Sequence, residues 1–217
     1  MNVRNAAVAT AISLAAAAAV AADRFPVLKP EQLTPEQAKV VQSLLASPRA
    51  GGGGAEATPE NMAKMIRGPF NAYLRSPDIG LQITKLAEQV RFHSSLPARI
   101  NEFAILITAR HWNSAYEWSA HAPLALKGGL DPKVAEQLAQ NKKPRGMKED
   151  EAAVYDFCTQ LRRTHRVTDA AYQRVLGLFG ERGVMDLIAV SGLYDLVSMT
   201  LNVAEVPVPA GQPNPFK

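Results

Sequence analysis

Apolar residues recur along most of the chain at spacings of three and four, which is the period of an amphipathic helix. No stretch alternates apolar and polar residues as a half-buried β-strand would, and no long-period repeat is present. The segment 184–203 is apolar on most sides, so we expect this helix to lie at the centre of the core. The sequence therefore predicts an all-α fold.

Capping residues, prolines and glycines predict where the helices begin and end. Thr34 and Gln37 form a capping-box pattern around Pro35, which predicts a helix ending near 47–48. Similar signals predict further helices from 68, over 76–93, from 97 to a turn at 112–114, from there to 128, and over 131–141, 149–164, 168–180 and 184–203. We interpret 50–57 as a flexible glycine-rich loop and the proline-rich tail from 206 as extended.

Polar residues inside the two central helices are the candidates for chemistry. Ser114, Glu117 and His121 are spaced by three and four residues, so they share one helix face. Glu102 lies in an apolar face of the preceding helix, where a carboxylate is costly unless it is paired or protonated. We interpret Ser114 as the N-cap of the second helix, since it lies two turns from His121 and opens that helix.

These residues resemble the motif of the carboxymuconolactone decarboxylase and alkylhydroperoxidase D (AhpD) superfamily. In that motif a Glu is followed twelve residues later by a Cys-x-x-Cys pair, and then by a His. Glu102 and His121 match, whereas Ser114 and Glu117 stand where the peroxidase branch has cysteines. The string YEWSAHAPLALKGGL is similar to the cysteine-free, carboxymuconolactone decarboxylase-like branch, and the resemblance covers about 68–209. It implies an AhpD-like helical bundle built around a helical hairpin.

The chemistry expected from Glu102, Glu117 and His121 is proton transfer. Two carboxylates held close together cannot both ionise cheaply, so one of them can act as an acid near neutral pH, and a histidine one turn away can accept or return the proton. The resemblance implies a cofactor-free decarboxylase or isomerase that acts on a small unsaturated lactone or carboxylic acid. We expect Tyr116, Trp118, Trp112 and His93 to contribute to substrate binding.

Two other functions remain open from the sequence. An AhpD-like peroxidase would need a thiolate and a resolving thiol, and the motif here has neither. A non-catalytic, oligomeric binding protein would use the same three side chains as a buried structural network. No metal is expected, because the helix carries one His–Glu pair without the HExxH spacing.

Composition adds bounds on compartment and partners. Residues 1–22 have a short positive start, an alanine-rich apolar stretch and small residues before a predicted signal-peptidase cleavage site, which together predict a signal peptide. We therefore expect a periplasmic or secreted protein whose mature chain has no membrane span. The 217 residues are 47% hydrophobic with a net charge of +4 and scattered cations, which disfavours nucleic-acid binding. The single cysteine, Cys158, is expected to be a buried structural thiol.

The predicted organisation has four parts. A signal peptide over 1–22 is followed by an N-terminal linker and helical extension over 23–67, the carboxymuconolactone decarboxylase-like domain over 68–209 and a C-terminal tail over 210–217. The expected partners are a small anionic or aromatic-derived substrate and further copies of the chain. The resemblance implies assembly as a dimer, trimer or hexamer.

Overall fold

The computed structural model describes residues 24–51 and 54–216. The described part is all-α, with no strand, and its helices follow in the order α1 (Pro35–Ala46), α2 (Pro59–Met65), α3 (Pro69–Tyr73), α4 (Pro77–Phe92), α5 (Ala98–His111), α6 (Ala115–Lys127), α7 (Pro132–Ala139), α8 (Glu149–Thr164) and α9 (Asp169–Val203). Short 3₁₀ turns lie at Pro30–Gln32 and Pro48–Ala50. The predicted signal peptide lies outside the described residues.

Local capping chemistry sets most helix starts. The Thr34 hydroxyl accepts from the Gln37 backbone N–H, and the Gln37 side chain accepts from the Thr34 N–H at 2.9 Å, as the capping-box pattern predicts. The Asp131 carboxylate and the Thr168 hydroxyl cap α7 and α9 in the same way. Helix α2 was missed, although Thr58-Pro59-Glu60 repeats the signature of Thr34-Pro35-Glu36 and Thr58 accepts from the Asn61 N–H.

Helices α5 and α6 form the helical hairpin that the sequence predicts. The residues from Ile100 to Ala109 are all buried, because α5 packs against α6, α7, α8 and α9 at once. A tight turn joins the two helices: Asn113 has a φ of 49° and the Ser114 N–H donates to the Ala109 carbonyl at 2.8 Å. The first helix of the hairpin is therefore the most enclosed element of the main core.

Helix α9 supplies the other face of that core. It buries apolar side chains along its length, among them Val175, Leu187, Val190, Leu193 and Leu201. The predicted end of a helix at Gly180 is confirmed as a kink, where φ is 67° and ψ is 178°, values that only glycine adopts easily. The following helix resumes directly after Gly180 and not at Val184, because positions 181–183 retain helical geometry.

The length and hydropathy of α9 match those of a membrane-spanning helix. However, half of its most apolar stretch is buried against other helices, and the kink at Gly180 bends α9 before that stretch begins. Both features are typical of the central helix of a helical bundle, in which the apolar faces contact protein.

The N-terminal extension packs beside this bundle through a smaller apolar cluster. Val40, Val41 and Leu45 of α1 pack with Ile66 and Leu74, and α1 lies along α4. The 3₁₀ turn after α1 also contacts α4, which places Arg49 beside the end of that helix. The extension is thus part of the folded unit and does not behave as a free linker.

The C-terminal tail folds back onto the bundle. It has turns at 210–211 and 215–216, so the expected extended conformation holds only in part. The Phe216 ring packs edge-on against Trp118, with centroids 5.4 Å apart, and Arg110 lies over its other face at 4.8 Å. Aromatic anchoring therefore fixes the end of the tail against α6.

Candidate active site

Helix α6 places Glu117 and His121 side by side, as their spacing of four residues predicts. His121 Nε2 and Glu117 Oε1 lie 3.0 Å apart. Both side chains are almost fully buried, with exposed fractions of 4% for Glu117 and 6% for His121. The ring of Tyr194, from α9, contacts His121 edge-on at a centroid distance of 5.0 Å. The imidazole is therefore held in one orientation from two sides.

Glu102 completes the group from α5. Its Oε2 atom lies 2.6 Å from His121 Nδ1, so both ring nitrogens face carboxylate oxygens. A carboxylate oxygen accepts hydrogen bonds, and an imidazolium that donates from both nitrogens satisfies both contacts. The carboxylate in the apolar face of α5 is thus paired, which accounts for a charge that burial alone would make costly.

The pKa of His121 is the resultant of two opposing effects. Burial lowers the pKa of the imidazole, but Glu117 and Glu102 together raise it by charge and hydrogen bonding, and the net shift is upward. The protonated form is thus favoured at the pH where a free histidine has lost its proton. The site is a buried histidine held between two glutamate side chains.

We expect this shift to appear in the pH dependence of stability. A histidine whose pKa is raised by folding binds a proton more tightly in the folded chain, so its contribution is fully present below about pH 6.5 and is lost as the pH rises through the folded pKa. The free energy of unfolding, measured by urea denaturation, should fall with pH above this point. The fall should be smaller in His121→Asn, and equal pH slopes in the two proteins would contradict the assignment.

A cavity of about 480 Å³ opens beside this group. Glu117 and His121 line it, and Glu117 is the acidic side chain among its described lining residues. Basic and aromatic side chains form about half of the remaining wall: Arg49, Lys64, Arg67, Arg91, Phe70, Tyr73, Tyr116 and Tyr194. Pro209 and Gln212 of the tail also line it. The volume suits a ligand of one or two rings, and the wall suits an anion.

The four residues expected to bind substrate have different positions. Tyr116 lines the cavity. Trp118 does not, because its place on α6 turns it into the core against Phe216. Trp112 packs toward α9, where its Nε1–H donates to Asp195 at 2.7 Å. His93 follows the end of α4, exposed, with Glu88 3.9 Å away. The structure therefore does not place Trp118, Trp112 or His93 at this cavity, and a role for them in substrate binding stays a prediction.

Several lining residues were missed because their elements are remote in sequence. Arg49 comes from the N-terminal extension, Arg91 from the last turn of α4 and Tyr194 from α9. The one local signal was the pair Arg91–Phe92 at a helix end, a common surface pattern that does not by itself indicate a site. The 3₁₀ turn after α1 packs on α4, α4 packs on α9, and α9 packs on α6, and these long-range contacts bring the side chains together.

Two polar side chains near the motif have structural settings. Ser114 occupies the N-cap position of α6, but its hydroxyl makes no capping bond and is buried without a partner among the described residues, so the predicted capping role is wrong. Cys158 is buried as predicted, with its Sγ atom 3.6 Å from Ser191 Oγ, and burial raises the pKa of its thiol. Within residues 24–51 and 54–216, no cluster of three or more acidic, histidine or cysteine side chains is arranged to hold a metal ion.

Gly68 sets the position of Tyr116. Its φ of 56° and ψ of −134° favour glycine, and a Cβ there would lie 2.6 Å from the Tyr116 hydroxyl oxygen. We expect Gly68→Ala to lower the free energy of unfolding by about 1–3 kcal/mol, measured by urea denaturation. Gly192→Ala is the control, because that helical position has open space and should gain about 0.5–1 kcal/mol. An unchanged stability for Gly68→Ala would show that the loop adapts.

Comparison with known proteins supports the architecture. No protein-family model matches the sequence, and no curated protein sequence matches it. A solved structure does match: the crystal structure of an alkylhydroperoxidase AhpD core, from an uncharacterized peroxidase-related protein of Ralstonia eutropha JMP134. The TM-score is 0.64 at 17% identity, over 89% of this chain and 94% of the other. The chain therefore has the AhpD-like fold that the resemblance implied.

Proposed function

We propose that this protein is a cofactor-free lyase or isomerase that transfers a proton on a small unsaturated lactone or carboxylic acid. The observation that carries the proposal is the position of His121, which lies between two buried carboxylates while it lines, with Glu117, a cavity of ligand size. A sealed structural network would leave such a cavity unused. The open side of the group therefore favours catalysis over a purely structural role.

The three residues have separate roles in this proposal. Glu117 faces the cavity and exchanges the proton with a substrate carbon. His121 lies 3.0 Å from Glu117 as its ion-pair partner and adjusts how readily that carboxyl gives or takes the proton. Glu102 is a positioning residue, because it does not line the cavity and acts by holding His121 Nδ1. The predicted catalytic set thus divides into two groups at the cavity and one behind them.

Either reaction can be written with this set. In an isomerisation, a C–H bond adjacent to the carbonyl breaks, the proton passes to Glu117, and the electron pair delocalises into the conjugated carbonyl as a dienolate. Glu117 then returns the proton at a carbon further along the conjugated system. In a decarboxylation, a C–C bond breaks and CO₂ leaves, and a proton already on Glu117 moves to the resulting dienolate. The basic wall stabilises the negative charge that develops in both cases.

Peroxidase chemistry receives less support from the residues. The printed description of the similar crystal structure is peroxidase-related, but that activity needs a reactive thiolate and a second thiol to resolve the sulfenic acid. The one thiol of this chain is Cys158, which is buried and does not line the cavity. The fold is shared, and the cysteine chemistry does not transfer with it.

We expect Cys158→Ala to retain full turnover. The thiol is a small buried group, so its loss should lower the free energy of unfolding by about 1–2 kcal/mol through the cavity left behind. Steady-state rates and urea denaturation of the same preparation measure both quantities. Loss of turnover in a protein that keeps its helicity would restore the thiol-based alternative.

A substrate screen tests the proposed function. Small unsaturated lactones and conjugated carboxylic acids are incubated with the wild-type protein and with Glu117→Gln, and each is followed by its ultraviolet absorbance. The proposal expects at least one compound to lose or shift its conjugation with the wild-type protein alone. Hydrogen peroxide with a dithiol reductant is included in the screen. Consumption of peroxide by both proteins, with no lactone or acid converted, would overturn the proposal.

Export and assembly remain predictions from the sequence. Periplasmic or secreted localisation rests on 1–22, which lie outside the described residues. Assembly with further copies of the chain is consistent with apolar side chains exposed on α4 and α9, among them Ile79, Leu86, Met185 and Met199. The intact mass of the protein recovered from its host, and light scattering of the purified protein, measure the two properties.

A further inference from the structure

Three arginines line the cavity without a carboxylate partner in the described part of the chain, and two of them, Arg49 and Arg91, lie beside the same aromatic ring. Neither Arg49 nor Arg91 forms an ion pair within the described part of the chain, whereas Lys64 on the same wall pairs with Glu60 at 2.7 Å. Both arginine residues are half-buried. Burial lowers the pKa of Arg49, and the nearby charge of Arg91 lowers it further. The two cations are thus held together at an energetic cost that an anion between them would relieve.

Aromatic rings hold the two guanidinium groups in place without neutralising them. Arg49 lies over Phe70 at 4.8 Å and near Phe92 at 5.9 Å, and Arg91 lies over the same Phe92 ring at 5.2 Å. Because both arginines contact one ring, their separation is fixed before a ligand arrives. Guanidinium groups are planar forks of N–H donors that match the two oxygens of a carboxylate, so a preorganised pair favours this anion.

We infer that Arg49 and Arg91 form a carboxylate-binding subsite, which takes the anionic end of a planar, conjugated or aromatic acid. The other end of such a ligand faces Glu117 and His121 between the rings of Tyr116 and Tyr194. Arg49 belongs to the N-terminal extension, outside the region of the motif, so the extension supplies part of the binding site. The inference rests on the proposed function for the choice of substrate, but the subsite can be tested without turnover.

The test compares benzoate with benzamide, which has nearly the same shape and no charge. Calorimetric titrations of the full chain are made at constant ionic strength. We expect benzoate to bind at least about tenfold more tightly than benzamide, as expected for hydrogen bonds to a charged group. Arg49→Gln and Arg91→Gln should each weaken benzoate binding by about tenfold to a hundredfold and leave benzamide binding unchanged. Arg182→Gln is the matched control, because Arg182 is exposed and does not line the cavity.

The opposite results would overturn the inference. Equal affinities for benzoate and benzamide, or wild-type benzoate affinity in both arginine variants, would show that the pair is not a carboxylate subsite. If Arg49→Gln loses helicity, the benzoate affinities of Arg91→Gln and Arg49→Lys decide whether the pair binds a carboxylate. Arg49→Lys keeps the charge without the fork and should show an intermediate loss.

Glu117→Gln separates this inference from the proposed function. The variant should still bind benzoate, because Glu117 is not part of the arginine pair. Arginine-dependent benzoate binding with no compound turned over would keep the subsite and remove the proton-transfer proposal. Turnover that depends on Glu117 but not on either arginine would keep the proton-transfer proposal and remove the carboxylate subsite.

Discussion

Glu117→Gln and His121→Asn are each expected to reduce turnover by about a hundredfold to ten-thousandfold, the usual loss when a general acid or base is removed. The two side chains lie 3.0 Å apart as an ion pair and line the same cavity, so in the proposed reaction they act on the same step. The double variant should therefore be little worse than either single variant. Glu117→Gln is the cleaner probe, because glutamine retains the size and hydrogen bonding of the side chain but has no titratable proton.

Glu102→Gln distinguishes positioning from proton transfer. Its hydrogen bond holds His121 Nδ1 at 2.6 Å, so its loss should alter the pH profile of turnover through His121. Helicity of all the variants is checked by circular dichroism, because a folding defect would imitate a catalytic one. Wild-type turnover in Glu117→Gln, His121→Asn and the double variant would show that this face of α6 is structural.

Arg99→Ala is expected to lower the free energy of unfolding by about 3–5 kcal/mol, since it removes one partner of a buried ion pair. Arg99, on α5, donates to Glu151 and to Asp150 at the start of α8, with 2.5 Å to Asp150 Oδ2. The Glu151 side chain is only 1% exposed. Without Arg99, the Glu151 carboxylate keeps its hydrogen bond from the Lys148 backbone N–H but loses its counter-charge. Urea denaturation measures the loss.

Arg174→Ala is the matched control for Arg99→Ala. Arg174 also bridges two carboxylates, at 2.9 Å to Glu149 and 3.1 Å to Asp156, but its side chain is 37% exposed. Solvent-exposed ion pairs contribute little, so we expect a change within about 1 kcal/mol. Similar losses in the two variants would mean that burial of Glu151 is not what makes the Arg99 contact important.

The fold could be predicted largely because its signals are local. Helix starts at Pro35, Pro77, Pro132 and Asp169 follow from caps and prolines that lie within a few residues of each start, and the kink at Gly180 follows from one glycine. The miss at α2 was of the same local kind, since Thr58-Pro59-Glu60 carries the same signature.

The candidate site was only partly predictable, because the Glu117–His121 pair depends on contacts within one helix, whereas the cavity wall depends on contacts between residues far apart in sequence. The pairing of Glu117 with His121 follows from spacing along one helix. The identity of the cavity wall depends on long-range packing of the N-terminal extension on α4, of α4 on α9 and of α9 on α6, and no local pattern marks Arg49 or Tyr194. Trp112 and Trp118 lie close to Glu117 in sequence, which suggested that they line the same cavity. Helix geometry turns them instead toward Asp195 and Phe216.

The measurement that tests the central claim most directly is deuterium incorporation during turnover in D₂O, followed by NMR with the first compound that the substrate screen identifies. If Glu117 exchanges a proton with a substrate carbon, a decarboxylation product carries deuterium at one carbon with one stereochemistry, because a fixed carboxyl delivers it to one face. In an isomerisation Glu117 returns the proton that it abstracted, so the product keeps part of the substrate hydrogen and any deuterium it gains lies at that one position and face. Glu117→Gln forms no labelled product above the uncatalysed background. Product formed at the wild-type rate by Glu117→Gln, or deuterium delivered equally to both faces by the wild-type protein, would contradict the account.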